Sequence, residues 1–273
     1  MSESAPPDDF LSGHSGLVVG PRATSRALLK DAGQDAWRIG TAEPARLRRA
    51  ARATPPRRVL VVAVERTDER NLLASARSEL LRSRHYVDFE TTAVGERGKF
   101  ENLNALLARR SPAGYDWLLA IDDDVWLPRG FLNGFVFLAE RFDLALAQPA
   151  HRARSHAAWA ITRRRLGSVV RETPWVEIGP VVAFHRRTFE ALLPFPELRM
   201  GWGLDSHWAA VARQAGWRLG IVDALAIRHG LRATASAYGR DEAIAEGRRF
   251  LADRPHLGRS ESQRTLATHR SWR

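Results

Sequence analysis

Two uninterrupted apolar runs, Val-Leu-Val-Val-Ala-Val at residues 59–64 and Trp-Leu-Leu-Ala-Ile at 117–121, constrain the fold more than any other feature. Runs that are apolar at every position, rather than at alternate ones, belong to strands covered on both faces. Such strands need helices above and below them, and the stretches between the runs supply the helical period. Leu72, Leu73, Ala76 and Leu80 recur at that spacing in residues 68–84, as do Leu103, Leu106 and Leu107 in residues 100–109. A further strand fits residues 86–94. Pro128 reads as the first residue of a helix through Phe142, with Phe131, Phe135, Leu138 and Phe142 on its apolar side, before a short strand at 144–147. In the second half, strands are expected at 175–184 and 217–222, and helices at 185–193 and 206–215. Alternating strands and helices imply an α/β fold with a mainly parallel central sheet, whose ligands bind at the carboxyl ends of the strands.

The chain of 273 residues is long enough for one such domain with additions at both ends. Residues 57–253 read as the domain. Residues 1–56, rich in Pro, Gly, Ser, Ala and Arg, read as a flexible basic leader with at most a short helix at 24–32, and residues 254–273 read as a basic tail. Six arginines and no acid fall in residues 46–58. They suit a solvated linker, or a contact with an anionic membrane or nucleic acid. The absence of cysteine excludes disulfides, thiolate metal sites and cysteine nucleophiles. No apolar run approaches the ~20 residues needed to span a bilayer, so the expected compartment is the cytoplasm, with the inner face of the membrane open to a peripheral contact. The net charge of +11 favours anionic partners in general.

The second apolar run stops at Asp122, Asp123 and Asp124. Three adjacent carboxylates at the end of a buried strand repel one another and lose solvation, so some take up protons or a cation neutralises them. A hard divalent ion such as Mg²⁺ or Mn²⁺ suits oxygen ligands and is typically held by one or two carboxylates plus substrate phosphates. The plainer alternative, a solvated turn or a cap for the next helix, fits less well: with Pro128 first in the helix the cap falls at Leu127. In an ideal strand Asp122 and Asp124 share one side and Asp123 faces the other.

Further on, Gly-Trp-Gly-Leu-Asp at 201–205 puts Asp205 at or near a helix N-terminus. There it can act as an N-cap, ionised with the help of the helix dipole, or as a general base towards a substrate hydroxyl, and the two roles are compatible. Arg152, Arg154, Arg163, Arg164, Arg165 and Arg171 crowd one segment with no acid between them, which reads as a solvated basic face or as a site for an anionic acceptor.

Taken in order, the apolar first strand, Gly98-Lys99 with Asn102 and Asn104, the Asp122–Asp124 cluster, Gln-Pro-Ala at 148–150, Trp-Val-Glu at 175–177, Gly-Trp-Gly-Leu-Asp and His229 resemble the GT-A glycosyltransferases, and most of all a poorly characterised GT-A-like group. The resemblance covers roughly residues 57–249. It implies the Rossmann-like nucleotide-diphospho-sugar transferase fold and a hexosyltransferase-like activity. Its donor would be a nucleotide sugar whose diphosphate is held through Mn²⁺ or Mg²⁺ by a DXD motif. Lys99, Asn104, Asp122 and Asp123 would then lie on the donor side, Asp124 and His229 on the metal, and Asp205 would be the acceptor-side base of an inverting enzyme. Leu204 stands where that acceptor motif usually has its first acid, and Glu96 is the nearest acid to the one that usually contacts the nucleotide base.

Two other readings have their own signals. A nucleotidyltransferase of similar fold would use the same metal, but residues 64–68 lack the glycines of a phosphate loop. A non-catalytic protein binding nucleic acid or a membrane surface would explain the charge and leave the aspartates without a role.

Overall fold

The computed structural model describes Val18, residues 20–232 and residues 239–273. In chain order the elements are α1 (Pro21–Gly40), α2 (Glu43–Arg52), β1 (Arg58–Glu65), α3 (Leu73–Leu81), β2 (Tyr86–Ala93), α4 (Lys99–Arg109), β3 (Trp117–Asp122), β4 (Val125–Trp126), α5 (Phe131–Arg141), β5 (Leu144–His151), β6 (Val170–Thr173), β7 (Val181–His185), α6 (Phe189–Leu192), α7 (Leu204–Gln214), β8 (Arg218–His229), α8 (Arg240–Leu251), α9 (Arg259–Ser262) and β9 (Ala267–His269). Among these described helices none is long and apolar enough to cross a membrane.

The sheet runs β2-β1-β3-β7-β5-β8-β6-β9, with β4 paired to β8 off that path. Strands β2, β1, β3, β5 and β8 point one way, and β7 and β6 run against them. This is the mainly parallel α/β sheet expected from the apolar runs. Alternate residues of each run serve opposite faces. Val59, Val61, Ala63, Trp117, Leu119 and Ile121 pack with Leu73, Ala76 and Leu80 of α3 and with Phe131 and Phe135 of α5. Leu60, Val62, Leu118 and Ala120 pack with Leu103 and Leu106 of α4, Trp208 of α7 and Phe250 of α8. Each such side chain contributes about 1.5–3 kcal/mol by leaving water, which is why the runs tolerate no polar interruption.

Local chemistry shifts several boundaries. Helix α5 starts at Phe131 rather than at Pro128; Gly130 (φ 76°) forms its entry, and the Pro128 carbonyl accepts the Phe131 N–H at 3.1 Å in the preceding turn. Only the end of the strand expected at 175–184 is strand. Pro180 cannot donate to a ladder, and the Glu177 N–H goes to Gln148 Oε1 at 2.5 Å instead, so residues 175–180 leave the sheet. Strand β8 continues past Val222 to His229. Strand β6 has no apolar pattern because it carries the fully buried Arg171, whose Nε and Nη2 bind Asp223 Oδ2 and Oδ1 at 2.8 and 3.0 Å.

The flanking segments depart from expectation most. Residues 21–52 form the helices α1 and α2 instead of a flexible leader; residues 1–17 lie outside the described residues. Asp31 on α1 accepts the backbone N–H groups of Ala153 and Arg154 at 2.8 and 2.9 Å and binds Arg164 Nη2 at 3.2 Å. Asp35 binds Arg164 Nη1 at 2.6 Å and pairs with Arg152. Arg163 donates to the carbonyls of Arg152, Ala153 and Ser155. At Arg152 and Arg164 the segment is therefore neither a solvated face nor an anion trap, because α1 supplies the acids, whereas Arg165 stays exposed. At the other end, β9 adds to the sheet edge beside β6, so residues 254–273 are not a loose tail.

Removing one member of a buried ion pair leaves the other charge uncompensated, at a cost of about 3–5 kcal/mol. Asp31→Ala is expected to lower unfolding free energy by about 3 kcal/mol in urea titration; a leader without structural work would leave the midpoint unchanged.

Candidate active site

The carboxyl ends of β1, β3, β5 and β8, together with the segment entering β7, open on one cleft of about 620 Å³. Because β7 runs antiparallel, the residues just before it, Glu177 to Pro180, reach the same edge as Asp122, His151 and His229. One sheet edge thus collects residues far apart in sequence.

The chain turns at Asp123 and Asp124, and the three aspartates separate. Asp122 Oδ1 binds Lys99 Nζ at 2.7 Å, and Lys99 also donates to the Ile178 carbonyl at 3.3 Å. A Cβ on Gly179 would sit 2.9 Å from that Nζ and 3.2 Å from Asp122 Oδ2, so glycine makes room for the pair. Asp123 is buried; its Oδ2 accepts the Arg66 N–H at 2.8 Å, and its Oδ1 pairs with Arg232. It borders the cleft, yet its carboxylate is engaged in holding the neighbouring loops. Asp124 Oδ1 lies 3.0 Å from His229 Nε2, and its Oδ2 accepts the Arg232 N–H at 3.2 Å. This pairing exists because β4 docks on the end of β8, with Val125 opposite His229. Burial disfavours charge on both groups, but their hydrogen bond and mutual attraction prevail, lowering the Asp124 pKa and raising that of His229.

Asn104 does not reach the cleft. Its amide donates to the Phe195 carbonyl at 2.7 Å and accepts the Phe195 N–H at 2.9 Å, so the expected donor-side role is replaced by one of pinning the loop after α6.

Asp205 is the second residue of α7, and Gly203 occupies the cap position. Gly201 (φ 81°) and Gly203 (φ 92°) both adopt left-handed backbone, and a Cβ on Gly201 would fall 2.2 Å from the Phe100 ring. The Asp205 Oδ1 accepts the Ser206 N–H at 2.9 Å. Burial raises its pKa to about 7, the nearby Glu177 adds to this, and hydrogen bonds from Ser206 and Trp175 only partly oppose it. The helix dipole was expected to keep this carboxylate strongly ionised; desolvation outweighs it. A carboxyl titrating near neutrality is suited to accept a proton from a hydroxyl.

Glu177 entered the sequence reading only through the Trp-Val-Glu step at 175–177, and neither it nor His151 was assigned a site role. Both line the cleft, Glu177 Oε2 faces His151 Nε2 at 3.4 Å, and burial pushes the Glu177 pKa to about 8. Their meeting is not legible locally, because strand β5 and the irregular segment before β7 come together only through the sheet.

A divalent ion fits the Asp124–His229 corner in one manner. Among the described residues no three His, Asp or Glu side chains gather as a cage built by protein alone requires. One carboxylate oxygen and one imidazole nitrogen do converge, and a hard ion held partly by substrate phosphates and water needs no more.

No protein-family model matches the chain, and no curated protein matches it. Among solved structures it is similar to A197 from STIV, at 14% identity over 64% of this chain and 86% of that one, with a TM-score of 0.46. It is similar to GalNAc-T7, solved with UDP, GalNAc and Mn²⁺, at 12% identity and TM-score 0.47, covering 72% of this chain and 48% of that one. It is also similar to S. aureus TarS 1–349 in complex with UDP-GlcNAc, at 11% identity and TM-score 0.48, covering 71% of this chain and 65% of that one. The chain thus spans about half of GalNAc-T7 and just under two thirds of that TarS chain. Such likenesses transfer no residue roles.

Glu177 yields a pH prediction. Its folded pKa, about 8, lies above the ordinary 4.5, so across that window the folded protein keeps a proton that the unfolded chain has released. Stability therefore falls as pH rises through the window. Glu177→Gln cannot ionise and should flatten that fall, read as the difference in melting temperature between pH 5 and pH 8.5, relative to wild type; parallel curves would place the charge elsewhere.

Proposed function

We propose that the protein is a metal-assisted GT-A glycosyltransferase that moves a hexosyl group from a nucleotide-sugar donor to an acceptor hydroxyl. The observation that carries this reading is the convergence, at one sheet edge, of the Asp122–Lys99 pair, the Asp124–His229 pair and the buried Asp205. The cleft is thereby divided between groups suited to a diphosphate and a group suited to a hydroxyl.

On this reading Asp122 receives hydrogen bonds from the donor's ribose, and Lys99, held by Asp122, presents its ammonium to the diphosphate. Asp124 and His229 hold the divalent ion, which supplies Lewis-acid stabilisation of the charge that gathers on the departing nucleoside diphosphate. Asp205 takes the proton from the acceptor hydroxyl as its oxygen bonds to the anomeric carbon. The bond from that carbon to the diphosphate oxygen breaks, and its electron pair leaves with the nucleoside diphosphate. Direct attack of this kind inverts the anomeric centre.

Calorimetric titration with Mn²⁺ and a panel of nucleoside diphosphates and nucleotide sugars tests the donor half, uridine compounds being tried first. Asp124→Ala and His229→Ala should each weaken Mn²⁺-dependent binding by tenfold or more, of the order known for perturbed metal sites. If no nucleoside diphosphate binds in the presence of Mn²⁺, the reading fails. Asp205→Asn should lower kcat by roughly 10²–10⁴ while the donor still binds. Release of pyrophosphate instead of nucleoside diphosphate would assign nucleotidyl transfer.

His229 must lose its proton to become a ligand, and Asp124 holds that proton. Mn²⁺ affinity should therefore climb by up to about tenfold per pH unit below the His229 pKa, and His229→Ala should flatten this dependence.

A further inference from the structure

The cleft wall beside the Asp122–Lys99 pair contains two buried polar groups that the reaction just described does not use. Glu177 is 8% exposed and His151 1% exposed, and both line the cleft. Glu177 Oε2 and His151 Nε2 stand 3.4 Å apart, and neither makes a hydrogen bond, with the other or with any described residue. Leaving buried polar atoms unsatisfied is costly, so a fold that holds two of them side by side needs a reason.

They are held firmly. The Glu177 N–H is fixed by Gln148 Oε1, and His151 Nδ1 meets Ser155 Oγ at 3.0 Å. That hydroxyl in turn accepts the His229 N–H at 2.9 Å. The pair is thus set in a rigid scaffold at the wall of the cleft, with its two unpartnered atoms almost without accessible surface.

We infer that Glu177 and His151 form a subsite for a sugar hydroxyl, and that the acceptor is itself a carbohydrate. A hydroxyl donates and accepts at the same time, and a carboxyl beside an imidazole offers one donor and one acceptor between them. Burial keeps Glu177 protonated up to about pH 8, so at neutrality it donates. Arg152, Arg164 and Arg171 of the nearby segment are engaged by Asp31, Asp35 and Asp223 and do not enter this subsite. Glu177 also lies near enough to Asp205 for its charge to act on that carboxyl.

The name acceptor rests on the glycosyltransferase reading; the subsite itself does not. Saturation-transfer NMR on the full chain, without metal or nucleotide, reads binding of methyl glucoside, galactoside, mannoside and N-acetylglucosaminide at millimolar concentration, with glycerol and glycerol 3-phosphate as comparators. At least one hexoside should bind, the comparators should bind more weakly, and Glu177→Gln and His151→Ala should each weaken hexoside binding by roughly tenfold, the effect of one lost buried hydrogen bond. Circular dichroism identifies a variant that has failed to fold, and the isosteric Glu177→Gln then decides alone. Hexosides that bind no better than glycerol, preference for the phosphorylated comparator, or unchanged affinity in folded Glu177→Gln would each overturn the inference. Failure of Mn²⁺ and nucleoside diphosphate to bind would instead sink the donor reading and leave this one standing.

Discussion

The short antiparallel contact between β4 and the far end of β8 is the interaction on which the cleft depends. Without it Asp124 would project from a free strand end and His229 would be the last residue of an overhanging strand. With Val125 set against His229, the turn at Asp123 and Asp124 is folded back, and a carboxylate and an imidazole 105 positions apart meet at 3.0 Å. Both ends of the contact are anchored elsewhere. Asp123 binds the loop after β1 through the Arg66 N–H, while the Leu72 N–H donates to the Asp123 carbonyl. On the β8 side, Ser155 receives the His229 N–H and so ties that strand end to the loop after β5.

Charge in this chain is organised by where its acids lie. With 42 basic residues against 31 acidic ones, each buried arginine still needs a carboxylate. The first helix provides Asp31 and Asp35 to the segment after β5, and Asp223 in mid-strand provides for Arg171. The segment so held carries His156 to the cleft and, through Ser155, braces His151 there. A helix that sequence assigns to a linker therefore shapes one wall of the candidate site from outside it.

Legibility followed periodicity. Strands β1, β3 and β5 and helices α3 and α4 are apolar patterns with one solution, and the aspartates at the end of β3 announce themselves by charge. Helix α1 has few apolar residues on its inner face, because it docks through Asp31, Gln34 and Arg38 rather than through leucines, so its period is invisible to a hydrophobic reading. Strand β6 is hidden by Arg171 for the same reason. In the site, residue type was legible and partnership was not: Asp123 and Asn104 have the chemistry for a ligand, and only their hydrogen-bond partners show that they serve the backbone. Conversely, Glu177 sat within an apparent strand, where its cleft-facing position depends on the departure of residues 175–180 from the sheet.

The cleft has two electrostatic halves. At Asp124 and His229 attraction defeats desolvation and both groups are drawn towards their charged forms, whereas at Asp205 and Glu177 desolvation wins and both carboxyls are drawn towards neutrality. The difference has a structural cause. The first half receives Lys99 and Arg232 in direct ion pairs, while no cation is among the groups that shift Asp205, and His229, Lys99 and Arg163 only partly offset burial at Glu177. Charge chemistry and proton chemistry usually interfere when crowded together, since a strong local cation lowers the pKa of any nearby base. By keeping its cations from Asp205, the fold leaves that carboxyl near pH 7 in the same cleft as the Asp122–Lys99 and Asp124–His229 pairs, and both conditions are needed if a single cleft is to polarise a leaving group and deprotonate a hydroxyl.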